Sequence, residues 1–312
     1  MSVLVAVGLF LVGALLAVWA TERLVEGLVS LATALRLSAF AVGAILSGFE
    51  AENIAVGLAA AGDKVASVAL GTVFGGAIFL VCVALGLGAL LFPLDVRLPR
   101  GVLLVFAASP VLAGVALVGP VTPRWAGVIL LVACVAALAY LVRASRGQQF
   151  LHSHEVDEAH EEQHSLGAAL ALTAVGIAVI GAGGELVAQG ATRIIETLRV
   201  PVLLMGMVVT PAVIELEEVI RQAIPTKEGR PDVSAGNLVG TLLYVVLFNL
   251  GLIALLTPVQ VDPLVRQLDW PALIAVTWIA TAFLWRGRVD RKAGVLLLTA
   301  YGTYIVAHVF VR

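Results

Sequence analysis

Charge is what this sequence has least of. Of its 312 residues only 13% are Asp, Glu, Lys or Arg, against 61% hydrophobic, and the mean hydropathy is +1.05. A soluble domain carries roughly a quarter of its residues charged, so this composition excludes a soluble enzyme or binding module. Neither sign dominates: 19 basic and 21 acidic residues leave a net charge of −2, which gives no footing for nucleic acid or a polybasic lipid contact. Cysteine is almost missing. Cys82 and Cys134 each sit inside an apolar stretch and read as packed side chains rather than a disulfide framework. The basic n-region of a secretory leader is also lacking before residues 3–20. The apolar run continues past residue 20, so it reads as a membrane span.

What is abundant is apolar length. A bilayer core of about 30 Å needs about 20 helical residues, and runs of that order recur from end to end. The breakers Pro93, Pro99, Gly119-Pro120, Pro123, Pro201, Pro225, Pro258 and Pro263 divide them. The expected spans are 3–34, 38–62, 66–91, 101–119, 124–143, 167–198, 201–223, 234–257, 271–285 and 293–310, an all-α polytopic membrane protein of ten helices. With both termini outside, thirteen of the nineteen basic residues fall on inner loops and helix ends, from Arg23 and Arg36 to Arg291 and Lys292. Lys64, Arg124, Arg193, Arg199, Arg266 and Arg312 remain outside. The positive-inside rule therefore places both termini outside an inner (plasma) membrane and the central loop in the cytoplasm.

The two halves repeat one another. Glu22 and Glu185, Gly27 and Gly190, and Gly43 and Gly206 pair at an offset of 163. Glu50 and Glu215, Gly71 and Gly236, Gly75 and Gly240, Gly86 and Gly251, and Pro93 and Pro258 pair at 165. A repeat of five helices is odd, so the second copy enters the membrane from the opposite side. Such inverted repeats build alternating-access transporters with the site at the repeat interface. The organisation expected is a first repeat over 1–146, a linker over 147–166 and an inverted repeat over 167–312. The first helix of each repeat, 3–34 and 167–198, is about 48 Å long at 1.5 Å per residue and must tilt or end at the interface.

Polar residues within the spans point to chemistry. Repeat one carries Glu50, Glu52 and Asn53, and repeat two carries Glu215, Glu217 and Glu218 at the equivalent place. Carboxylates in hydrocarbon are costly and mark ion or proton pathways. The plain alternative is pairing with nearby bases: none lies between Arg36 and Lys64, but Arg221 follows Glu218 by three and Glu217 by four. On a regular helix, residues three apart share a face, so Glu50 with Asn53, and Glu215 with Glu218, can address one ion while Glu52 and Glu217 face elsewhere. Ser47-Gly48 and Thr210-Pro211 just upstream predict broken helices whose freed carbonyls add oxygen ligands. Asn237 and Thr241, in the Gly236–Thr241 stretch, supply uncharged oxygens. GxxxG spacing there and at Gly71–Gly75 also serves close packing alone. An all-oxygen set without Cys or mid-membrane His favours Ca²⁺, Mg²⁺ or Mn²⁺ over Zn²⁺ or Cu⁺, and mixed carboxylate, amide and carbonyl ligands suit Ca²⁺. The loop at 152–164 carries four His and five acids, with His160 and His164 at i,i+4 as a possible regulatory metal pair. A solvated acidic connector is the simpler reading.

These motifs resemble those of the cation/calcium exchanger superfamily, whose repeats pair a helix reading G-T-S-x-P-E or G-N-x-x-E with one reading G-N-x-x-G-S. The resemblance covers nearly the whole chain. It implies that Glu218 matches the family's essential ion-binding Glu, Glu215 its Ser, Asn237 its Asn and Thr241 its Ser. In repeat one it implies Asn53 at the essential Glu and Glu50 at the Ser. The chain departs from the pattern: Thr-Ser and Pro-Glu are absent, Gly76 stands for a Ser, and Val245 stands where sodium/calcium exchangers place an acid. The implied function is a secondary antiporter of a hard divalent cation, Ca²⁺ foremost, against H⁺ or Na⁺. H⁺ is favoured because the hydroxyls that line Na⁺ sites are scarce. The transported ions are cargo and no cofactor is implied. The lipid bilayer and inorganic cations are the partners, and one chain completes the site. A cation channel, or a carrier of Mg²⁺ or Mn²⁺, is the alternative. No nucleophile or ligand His accompanies the acids, which argues against an intramembrane enzyme.

Overall fold

The computed structural model describes residues 3–34, 51–62, 66–144, 165–200 and 202–310. They form an all-α polytopic membrane fold. In chain order, α1 is Val3–Ala34 and α2 is Ala51–Gly62. Helix α3 runs from Ala66–Phe79 through a π-helical turn at Leu80–Ala84 to Leu85–Leu91. Helix α4 is Arg100–Ala113 with a 3₁₀ turn Gly114–Leu117, and α5 is Arg124–Ala144. The second half brings α6 (Leu166–Leu198) and α7 (Val202–Leu204, a π turn Met205–Val209, then Thr210–Ile214). Next come α8 (Leu216–Lys227) and α9 (Pro231–Leu243, a π turn Tyr244–Asn249, then Leu250–Leu256). Helices α10 (a π turn Val265–Asp269, then Trp270–Trp285) and α11 (Arg291–Phe310) finish the fold.

Eight of these helices are long and apolar enough to cross a membrane. That differs from ten uninterrupted spans in two places. The expected span 201–223 is split at Glu215 into α7 and α8, and the expected span 38–62 is described only over α2. Helix α10 also begins at Val265 rather than 271, because Arg266, Gln267 and Asp269 are helical despite their polarity. Leu15, Val132, Val135 and Trp278 present exposed apolar side chains on the outside of the bundle, a surface suited to hydrocarbon rather than water.

The halves are related by an inversion that the contacts make visible. Helices α1 and α6 run antiparallel: a Cβ added at Gly27 would lie 2.6 Å from the Thr173 hydroxyl, and one at Gly190 would lie 2.6 Å from the Phe10 nitrogen. Those two contacts interconvert when each residue is exchanged for its counterpart at an offset of 163. A corresponding exchange, at offsets of 165 and 167, governs the other end of each repeat. A Cβ on Gly294 of α11 would lie 2.5 Å from the Gly86 carbonyl of α3, and one on Gly127 of α5 would lie 2.6 Å from the Gly251 carbonyl of α9. Only glycine lets backbones approach that closely without a favourable apolar driving force between lipid-bathed helices. A short strand pair, β1 (Leu94–Asp95) with β2 (Arg288–Val289), ties the loop after α3 to the loop before α11. Its counterpart is the bridge Val121–Gln260, which ties the loop before α5 to the loop after α9. The π turns at Leu80–Ala84 and Tyr244–Asn249 also fall at equivalent positions. Helices α3 and α9 thus form the centre of the bundle and are its most buried spans.

Candidate cation site

The site is built where α7 fails to continue as a regular helix. Pro211 has no N–H to give to the turn before it, and the π turn Met205–Val209 lies immediately upstream. At Glu215 the backbone leaves the helical region (φ −83°, ψ 5°), and Glu218 N–H closes a tighter turn onto the Glu215 carbonyl at 3.1 Å. Breaks and π turns of this kind gather at functional sites. The break expected from Thr210-Pro211 is present, whereas Ser47-Gly48 and Glu50 lie outside the described residues.

Helix α3 supports the break from behind. Added Cβ atoms on Gly71 and Gly75 would collide with the carbonyls of Gly206 and Met207, so α7 can lie on α3 only because both positions are glycine. A Cβ on Gly76 would lie 2.6 Å from Glu215 Oε1. The residue that departs from the family's Ser therefore gives its space to the Glu215 carboxylate. Val245, the other departure, is buried in the π turn of α9.

Two carboxylate–amide pairs occupy the centre. Asn53 of α2 donates through Nδ2 to Glu215 Oε1 at 2.9 Å, joining residues from opposite repeats. Asn237 of α9 donates to Glu218 Oε2 at 2.9 Å. All four side chains are at most 5% exposed. Glu52, Glu217 and Glu218 lie within electrostatic reach of Glu215, so the acidic residues form one cluster. Glu215 Oε2, the hydroxyl of Thr210 in the same broken helix and that of Thr241, four residues after Asn237, have no hydrogen-bond partner among the described residues. Buried polar oxygens are rarely left unpaired, and such oxygens are the ligands a hard cation takes.

The remaining acids are held away from that pair of bonds. Glu52 accepts a 2.6 Å hydrogen bond from Thr21 of α1. Glu217 pairs with Arg221 NH2 at 2.6 Å. Arg221 meets both of the spacings noted in the sequence, because its NH1 also reaches Glu218 Oε1 at 2.7 Å. One guanidinium thus bridges two acids of the cluster, and Glu218 shares its charge between Arg221 and Asn237. Ser234 donates to both the carbonyl and the side-chain oxygen of Gln222, fastening α8 to α9 beside them. Thr21 and Gln222 are not singled out by the sequence, and Thr210 stands out there only as part of the break. For Thr210 the signal was its place before Pro211, while Thr21 carries none short of the packing of α1. His160 and His164 lie outside the described residues. A buried histidine does occur, His308 of α11, but it pairs with Asp269 and not with the acidic cluster.

Paired carboxylates and amides at the interface of two inverted repeats define an ion-translocating membrane protein. The sequence pattern described as sodium/calcium exchanger protein matches residues 5–143 and 168–310, once in each repeat. The chain belongs to the sodium/calcium exchanger protein family. It is 29% identical over 304 residues to inner membrane protein YrbG of Escherichia coli (strain K12), covering 94% of each chain. It is 26% identical over 136 residues to CaxA of Alkalimonas amylolytica, a protein named as a candidate antiporter, covering 44% of this chain and 43% of that one. Among solved structures, the sodium-calcium exchanger NCX_Mj soaked with 2.5 mM Na⁺ and 0.1 mM Ca²⁺ superposes with a TM-score of 0.63. That match, at 20% identity, covers 100% of both chains and shows a shared fold. The chain is therefore a multi-pass cation exchanger.

Proposed function

We propose that the chain is a secondary antiporter that exchanges Ca²⁺ for protons, binding both at the cluster formed by Glu50, Glu52, Asn53, Glu215, Glu217, Glu218, Asn237 and Thr241. The observation that carries this reading is the Asn53–Glu215 hydrogen bond, which joins the two repeats at a buried carboxylate. Antiport needs one set of groups that binds either ion and is costly to move when empty. Glu52, Glu215, Glu217 and Glu218, neighbours in a low-dielectric bundle, cannot all remain ionised without a cation. A divalent ion and protons therefore compete for the same oxygens, and the repeats reorient only when one of them is bound.

The amides serve this competition. Asn53 and Asn237 point N–H groups at Glu215 and Glu218. When Ca²⁺ enters, each amide turns over to present its oxygen, and the carboxylates leave the N–H for the metal. Glu215 Oε2 and the Thr210 and Thr241 hydroxyls supply further hard ligands. Arg221 occupies part of the charge of Glu217 and Glu218, which lowers the number of cations the site takes. One chain suffices, since the duplication completes the site. Both termini lie outside the inner membrane and the 147–166 loop in the cytoplasm, by the distribution of basic residues. The test is Ca²⁺ binding to the purified chain, by thermal shift and calorimetry, with E215Q beside it. Saturable binding that E215Q abolishes while leaving the melting profile intact supports the reading. Binding unchanged by E215Q overturns it.

A further inference from the structure

A second buried ionisable cluster lies apart from the first, between α10 and α11. The side chains of Asp269 and His308 are both 0% exposed, and His308 Nε2 lies 2.6 Å from Asp269 Oδ1. The Tyr304 hydroxyl donates to the same oxygen at 2.8 Å. Tyr301, Tyr304 and His308 follow one another at spacings of three and four, so they share one face of α11. The Tyr304 ring meets the His308 ring edge-on, with centroids 4.7 Å apart. Asp269 Oδ2, His308 Nδ1 and the Tyr301 hydroxyl have no hydrogen-bond partner among the described residues.

The surroundings decide what this cluster can hold. Cys82 of α3 and Glu215 lie within electrostatic reach of Tyr301, and Cys82 also of Tyr304; α3 and α7 carry no Lys, Arg or His. Arg266, one turn before Asp269, sends its guanidinium to the Gly119 carbonyl at 2.7 Å instead. Helix α4 meets α10 through the Pro110 carbonyl, which accepts from Trp270 Nε1, and carries its one charged residue, Arg100, at its other end. Among the described residues only His308 stands against Asp269 as a possible cation. An ionised Asp269 beside a neutral imidazole would leave an uncompensated buried charge, whereas a proton on His308 makes the pair neutral overall. Calcium needs six or more oxygens, which two carboxylate oxygens and a phenol do not provide.

We propose that Asp269 and His308, with Tyr304, form a proton-binding site separate from the carboxylate cluster, and that its occupancy is linked to cation exchange through α3. Nε2–H of His308 is directed at Asp269 Oδ1 in both states; proton uptake adds an N–H at Nδ1, which has no hydrogen-bond partner among the described residues, and release returns the lone pair to Nδ1. The link is a chain of contacts. Tyr301 packs edge-on against Phe79 of α3 at 5.7 Å, one turn from Gly76, against which the Glu215 carboxylate rests. The same α11 crosses α3 at Gly294 and Gly86. A change in how α11 sits on α10 therefore reaches the helix that supports the α7 break. This inference rests on the exchange reading above, in which the exchanged protons bind at the carboxylate cluster; the proton at His308 is not itself exchanged and sets how pH acts on the exchange.

Two measurements test it separately from that reading. Four of the five histidines lie within 152–164, so a ¹⁵N-histidine spectrum of the full chain minus that of H308Q isolates His308 without any transport assay. The result expected is a proton-uptake step at His308 that D269N displaces by at least one pH unit and that Y304F, which keeps the ring packing, displaces by less. A His308 signal that is the same in the wild type, D269N and Y304F overturns the site even if Ca²⁺ is transported normally. In proteoliposomes, H308Q and Y304F should keep divalent uptake at a fixed pH within about threefold and flatten its dependence on pH. A pH profile identical to the wild type overturns the link. If the wild type carries no divalent cation, the exchange reading fails, and the spectrum alone decides the proton site.

Discussion

Arg221 offers a quantitative test of how the acidic cluster is neutralised. Its guanidinium lies 2.6 Å from Glu217 and 2.7 Å from Glu218, and the Glu218 side chain is 1% exposed. At an effective dielectric of about 20, unit charges about 4 Å apart attract by about 4 kcal/mol. Glu217 is more exposed and its share is more strongly screened. Removing one partner of a buried pair typically costs about 3–5 kcal/mol, so R221Q should destabilise the metal-free protein by about 3 kcal/mol. The same change leaves the cluster one charge more negative, so it should bind Ca²⁺ more tightly. Ca²⁺ stabilises both proteins, so the gap narrows only by the difference in affinity, about 1.4 kcal/mol for a tenfold lower dissociation constant. The assay is thermal unfolding in detergent, with chelator and with saturating Ca²⁺. R221Q should melt well below the wild type in chelator and nearer to it in Ca²⁺. An R221Q protein as stable as the wild type in chelator, or one that gains less from Ca²⁺, would refute the argument.

Two further outcomes follow from the same geometry. G76A places a methyl group 2.6 Å from Glu215 Oε1, so it should displace the carboxylate and weaken Ca²⁺ binding by about tenfold, or about 1.4 kcal/mol; unchanged affinity by calorimetry would show that Glu215 does not use that space. Ca²⁺ affinity should rise between about pH 6 and 8, because metal binding must displace protons from shared oxygens, and a pH-independent affinity would point to Na⁺ as the counter-ion.

Much of this architecture is legible in the sequence because it depends on local quantities. Apolar length marks α1, α3, α5 and α6 to within a few residues, and the odd-numbered repeat implies the inversion seen at Gly86–Gly294 and Gly127–Gly251. Asn53 and Glu215 are found together because acids and amides inside apolar helices stand out individually. What stayed hidden depends on tertiary packing or on polar residues within a helix. Arg266, Gln267 and Asp269 lower the local hydropathy, so apolar length alone starts α10 too late and leaves Asp269 outside it. Its pairing with His308 requires knowing how α10 meets α11. Arg221 was visible as a partner, but that it bridges both Glu217 and Glu218 depends on side-chain geometry at the broken helix. The Thr21–Glu52 bond likewise appears only when α1 is placed against α2.

The most direct measurement is uptake of radiolabelled Ca²⁺ into proteoliposomes under separately imposed proton and sodium gradients. Proton-coupled exchange predicts saturable uptake driven by the proton gradient, indifferent to sodium and lost in E215Q. Uptake that needs sodium and ignores the proton gradient would contradict the proton coupling, and uptake that persists in E215Q would contradict the site.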